Sequence, residues 1–199
     1  MRRLLVVLSC SLLCETAVRG DNLLANPDFD SEVTSWVVGC GSTPTWLDED
    51  ATGCPGSGSS HQSAGPCQGF QGAGLGQCIP VQALSTLHAS AWFRANEGFG
   101  GVLVAFYENL ECQEPNVGQE LSPMFPSTGE WQPVEFENLS IPPGTVAILL
   151  GFGALSPGST LVVDIDSAYV GEAPLIFRDG FEGDLEGSIA ACAWSSTSG

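Results

Sequence analysis

The chain has 199 residues, of which 23 are acidic and five basic, for a formal net charge of −18. A surface this acidic repels phosphate backbones and anionic lipid, so nucleic-acid and membrane partners are disfavoured and cations are attracted. The length suits one domain with a single sizeable core.

Residues 1–20 read as a signal peptide. Arg2 and Arg3 give a positive start, residues 4–14 form an apolar or small run too short to span a bilayer, and Val18 and Gly20 suit cleavage before Asp21. A lipidated alternative would use Cys10 or Cys14. No later apolar stretch is long enough to cross a membrane as a helix, so the expectation is a secreted chain, extracellular or periplasmic. Beyond residue 20 lysine is absent and Arg94 and Arg178 are the only arginines. Cys40, Cys54, Cys67, Cys78, Cys112 and Cys192 follow the leader, an even set that argues for disulfides in an oxidising compartment. There is no Cys-x-x-Cys, and His61 and His88 are the only histidines, which argues against structural zinc.

The 25 glycines and 13 prolines cut the rest into short segments. No amphipathic helix of useful length is visible after residue 20. Residues 39–76 are rich in Gly, Ser and Pro and read as long loops around one or two short strands. Residues 87–94 alternate, with Leu87, Ala89, Ala91 and Phe93 on one face and His88, Ser90, Trp92 and Arg94 on the other. Gly98, Gly100 and Gly101 predict a flexible break before a strand over 102–107. A strand over 131–139 ends at the turn Ile141-Pro142-Pro143-Gly144, and two more cover 146–152 and 161–170. The pattern predicts an all-β chain, a single antiparallel β-sandwich or barrel over residues 21–174, with a short irregular tail over 175–199. Asn26-Pro27-Asp28-Phe29-Asp30 with Trp36 is echoed by Asp179-Gly180-Phe181-Glu182 with Trp194, or the match is coincidence in an acidic, Gly-rich chain.

The run Asn22-Leu23-Leu24-Ala25-Asn26-Pro27-Asp28-Phe29-Asp30 with Trp36 resembles the opening strand of CenC-type carbohydrate-binding modules, which are galactose-binding-domain-like jelly rolls. Gln77-Cys78-Ile79-Pro80-Val81 with residues 87–94 is similar to that family's central strand pair. Thr128-Gly129-Glu130-Trp131 and the Ile141 turn resemble a later strand and turn. Val163-Asp164-Ile165-Asp166-Ser167-Ala168-Tyr169-Val170 resembles the closing strand, although Ser167 stands where a second adjacent Asp is usual. The tail from Ile176 to Ser195 resembles a C-terminal element of secreted proteobacterial proteins, with an insertion containing Cys192.

The resemblance implies a jelly-roll sandwich and a non-catalytic module for a polysaccharide or surface glycan. Sugar recognition needs aromatic faces for the pyranose C–H surface and polar groups for the hydroxyls. Trp92 and Arg94 share the strand face opposite the core and are the candidates, with Tyr107 on a neighbouring strand and Trp46 in a loop as a second platform. The alternative for Trp92 is a place in the core. Trp36 and Trp131 match positions expected to be structural. The resemblance also implies a structural Ca2+ tying the first strand to the last through Asp30 and Asp166, and strand phase adds Asp164. It suggests the bridge Cys78–Cys112. Cys40–Cys54 would close a short Gly-rich loop, and Cys67–Cys192 is the remainder. Asn138-Leu139-Ser140 is a glycosylation sequon, meaningful only in a source that uses it. The competing functions are a structural or adhesion-type sandwich without a small-molecule site, and more distantly a hydrolase. For the last, neither histidine neighbours a nucleophile turn, and no phosphate loop or dinucleotide fingerprint is present.

Overall fold

A computed structural model of the chain describes residues 22–172, except 52, 54–56, 68, 82–83 and 159. The signal peptide, the tail, the second half of the echo, Cys54 and Cys192 lie outside the described residues. Twelve strands are described and no helix: β1 (Val37–Cys40), β2 (Thr45–Leu47), β3 (Ser59–Ser63), β4 (Gly65–Cys67), β5 (Phe70–Pro80), β6 (Thr86–Ala95), β7 (Phe99–Tyr107), β8 (Gly118–Leu121), β9 (Phe125–Pro126), β10 (Gln132–Ser140), β11 (Ala147–Ser156) and β12 (Val162–Gly171). They form two antiparallel sheets. A seven-stranded sheet runs β1-β5-β11-β7-β8, with β4 on β5 and β9 on β7; a five-stranded sheet runs β10-β6-β12-β3-β2. The expected β-sandwich is the observed architecture.

Alternation along the strands builds the core. On β6, Leu87, Ala89, Ala91 and Phe93 are buried, as the period-two reading required. Leu75, Val102, Val104, Ile148, Leu150 and Phe152 close the core from the seven-stranded sheet. Each fully buried large side chain contributes about 1.5–3 kcal/mol. Phe93 meets Phe125 edge-on at 5.3 Å, and Trp36 stacks on Phe29 at 5.1 Å. Trp36 donates its indole N–H to the Asn26 carbonyl at 2.9 Å and is structural, as expected.

Several expectations are corrected. Residues 22–36 are not a strand. They lie along β12 as irregular chain, with Leu23 N donating to Val170 O and Ala168 N to Pro27 O. Residues 39–76 hold more than one or two strands, since β2, β3 and β4 lie wholly within them. Small residues suit these strands because they stack closely on neighbours. Gly100 and Gly101 are no flexible break but the start of β7, and a Cβ on Gly100 would stand 2.6 Å from the Phe125 ring and 2.7 Å from the Phe93 ring. On β12 the register shifts between Asp166 and Tyr169, with Ser167 at φ 46°. That bulge turns Ala168 into the core instead of leaving it on the face of Asp164 and Asp166.

The cysteine pairing is also corrected. Cys78–Cys112 forms as expected, but Cys40 bonds Cys67 rather than Cys54, so Cys67 does not bond Cys192. β1 and β4 both pair with β5, Cys40 opposite Gly74 and Cys67 opposite Phe70, so the two cysteines lie on neighbouring stretches of the same sheet. Their Cα atoms are brought to 5.7 Å, within disulfide reach.

Candidate functional site

Strand register assembles a polar row across the outer face of the five-stranded sheet. Asp164 on β12 stands opposite Arg94 on β6 and His61 on β3, and His61 opposite Thr45 on β2. One step along, Asp166 stands opposite Trp92, which in turn faces Pro133 of β10. These positions alternate with core residues, so their side chains leave the sandwich on one side.

Arg94 organises the row. Among the described residues it is the only Lys or Arg. Its Nε donates to Asp164 Oδ2 at 2.8 Å and its Nη1 to Glu49 Oε1 at 2.5 Å. The guanidinium carbon lies 4.7 Å from the Trp131 ring centroid, a cation–π contact. His61 Nδ1 lies 2.6 Å from the other Asp164 oxygen, so one carboxylate holds two basic groups. Hydrogen bonding to Glu49 pushes the Arg94 pKa up, with the Asp164 bond adding to it and burial opposing it. The same hydrogen bond holds Glu49 below the usual carboxylate range. Asp164 is nearly buried (7% exposed) whereas Glu49 is open (52%), so Asp164 anchors the group and Glu49 reaches it from solvent.

Asp166, 1% exposed, is in a different state. It accepts N–H bonds from Ala51 at 2.9 Å and Ser167 at 2.6 Å. Burial nevertheless pushes its pKa up to about 7, and the like charges of Asp50 and Asp28 add to the rise. Asp28 is itself raised by burial and then by Asp30.

The predicted residues divide. Trp92 and Arg94 share a face, as read from alternation, and Trp92 is half-buried on the outside rather than in the core. Tyr107 is not on a neighbouring strand: β7 belongs to the other sheet, and Tyr107 is buried there with its pKa raised by burial and by Glu114. Trp46 lies not in a loop but on edge strand β2, opposite Ser60. Its side chain therefore points away from the face of His61, and its indole N–H donates to Phe29 O at 2.7 Å. The calcium set does not assemble. Asp30 is exposed, Asp164 is bonded to Arg94 and His61, and among the described residues no three His, Cys, Asp or Glu side chains stand together as a metal-holding group.

Sequence reasoning missed three members of the row. Trp131 was expected to be structural, yet it covers Arg94 on the outer face. His61 was expected in a Gly/Ser loop but is on β3. Glu49 was not singled out. Only Trp131 carried a readable signal, since it sits one residue before the alternating run of β10.

No protein-family model matches the chain, and no curated protein matches it. Solved structures do share its fold. A family 61 carbohydrate-binding module in complex with β-1,4-galactotriose is 17% identical with a TM-score of 0.56, over 77% of this chain and 99% of that one. A family 22 xylan-binding domain from Paenibacillus barcinonensis is 12% identical with a TM-score of 0.53, over 78% and 97%. The enzymatically active domain of a bacteriophage tailspike protein is 18% identical with a TM-score of 0.59, over 76% of this chain but 21% of that one. At these identities the likeness establishes the β-sandwich fold.

Proposed function

We propose that this protein is a secreted, non-catalytic glycan-binding module whose binding surface is the outer face of the five-stranded sheet. The observation that carries the reading is the row itself: Trp92 beside Arg94, with Trp131, Asp164, His61 and Glu49 fixed around that guanidinium. An indole offers a flat apolar platform for the C–H face of a sugar, and the fixed charged groups bond hydroxyls in preset directions. The similar modules that bind galactotriose and xylan support this reading.

Hydrolysis is less well supported. It needs one carboxyl to donate a proton and another to attack or to activate water, about 5–10 Å apart across a cleft. Two carboxylates of the row, Asp164 and Glu49, both bond the same guanidinium, and the third, Asp166, is buried and accepts two backbone N–H bonds, so none stands open to a substrate as a free acid–base pair requires.

A glycan array followed by calorimetry with the best polysaccharide tests the proposal. Trp92→Ala is expected to weaken binding more than about tenfold, a loss of about 1.4 kcal/mol, while leaving the fold intact. If no polysaccharide binds, or if Trp92→Ala binds as the parent does, the reading fails.

A further inference from the structure

The outer face of the seven-stranded sheet is chemically unlike the rest of the molecule. Its three central strands, β5, β11 and β7, contain no Asp, Glu, Lys, Arg or His, in a chain with a net charge of −18. Solubility alone would not clear charge from three adjacent strands. Register lines up glycines across them: Gly74, Gly153 and Gly101 form one row, with Gly76 and Gly151 beside Leu103 in the next.

This glycine floor is imposed by the sheet. A Cβ on Gly153 would lie 2.6 Å from the Ala73 carbonyl oxygen and one on Gly74 would lie 2.8 Å from that of Phe152. Neighbouring backbone leaves no room for a side chain at these two positions, whereas Met124 Sδ and Ser122 Oγ lie over Gly101, 2.7 and 3.3 Å from where its Cβ would stand, so the bare floor is Gly74, Gly76, Gly151 and Gly153. Around it stand knobs. Phe99, Leu103, Leu121 and Leu155 are 39% to 56% exposed, and Leu155 and Phe99 occupy the row next to the glycines. Between Phe70, Phe99, Met124, Leu155 and Pro157 lies an open groove of about 390 Å³.

We propose that this face is the interface between two copies of the chain, packed sheet to sheet about a two-fold axis. Knobs and holes on one patch are what a two-fold interface requires, because the same surface must be complementary to itself. Leu103 and Leu155 of each copy fill the glycine floor of the other. The three central strands of 11, 10 and 9 residues and the four-residue strands β1 and β8, at about 4.8 Å spacing and about 3.3 Å rise, give a face of about 600 Å². That is close to the roughly 800 Å² that each partner contributes to a stable interface of standard size. The uncharged centre keeps carboxylates out of the contact, and the remaining repulsion between two acidic bodies is long-range and screened by salt. Association therefore tightens as salt is added, opposite to a contact made by ion pairs. The polar rows then face outward on opposite sides of the pair. If that row binds glycan as proposed, the pair is bivalent and gains avidity on a polymer.

Sedimentation equilibrium of the full chain in about 0.02 M and about 0.5 M NaCl tests this. The expected result is a two-copy mass whose dissociation constant falls with salt. Leu103→Glu and, separately, Leu155→Glu are expected to raise that constant more than about tenfold with unchanged cooperative melting, because each places two carboxylates in the contact. A single-copy mass at about 100 µM in both salts overturns the proposal. So does a two-copy mass that survives both substitutions, which would place the contact at a sheet edge. Loss of polysaccharide binding in Leu103→Glu from a single-copy parent would make this face a glycan surface and overturn both readings.

Discussion

The two outer faces of the sandwich solve the problem of facing water in opposite ways. On the five-stranded sheet, the only Lys or Arg among the described residues is held by Asp164, Glu49 and Trp131, and a third carboxylate, Asp166, is buried one step away. On the seven-stranded sheet the three central strands carry no charge and a floor of glycine. One face depends on electrostatic bonds between strands, and the other on backbone packing that excludes side chains. A single core thus supports two surfaces of different chemistry.

The largest expected effect probes the cost of charge on the polar face. Asp166 has a folded pKa of about 7 against an ordinary value of 3.8. An acid raised on folding holds its proton more tightly in the native state. Its contribution is therefore fully present below about pH 4 and is lost as pH rises to about 7, on the order of 4 kcal/mol. Urea midpoints across that window should fall with pH for this group, and Asp166→Asn should flatten the slope. An unchanged slope would mean that Asp166 is already ionised in the native protein. Next comes Asp164→Asn, which strips Arg94 of its buried anchor and is expected to destabilise by about 3 kcal/mol in urea denaturation. A loss below about 0.5 kcal/mol would show that Glu49 and Trp131 suffice. On the other face, Gly153→Ala forces a methyl against the Ala73 carbonyl and is expected to cost about 2 kcal/mol in the same assay. If it proves neutral, the glycine floor reflects composition rather than packing.

The sequence disclosed these two faces unequally. Alternation along β6 placed Trp92 and Arg94 outside and Phe93 inside, because a strand's period of two is a local property. Partners across the sheet are not local. Nothing along the chain shows that His61 and Glu49 reach Asp164 and Arg94, since those contacts depend on β3 pairing with β12 and on the chain after β2. The same holds for Cys40 and Cys67, separated by 27 residues and joined through β5. Short-range loop closure favoured Cys54 instead. The bulge at Ser167 inverted the phase of Ala168, which strict alternation cannot foresee. Gly74 and Gly76 read as loop residues and Gly151 as part of the strand over 146–152, and only register puts them side by side with Gly153. Composition marked residues 39–76 as loop for the same reason, because burial between strands was doing what apolar side chains do elsewhere.

The glycan reading is tested most directly by polysaccharide binding measured in parallel on the parent chain, Trp92→Ala and Leu103→Glu, each first shown to melt cooperatively. The parent is expected to bind, Trp92→Ala to lose more than about tenfold in affinity, and Leu103→Glu to keep its per-site affinity while losing avidity. Binding that survives Trp92→Ala, or that no polysaccharide elicits from the parent, would contradict the assignment of the five-stranded face.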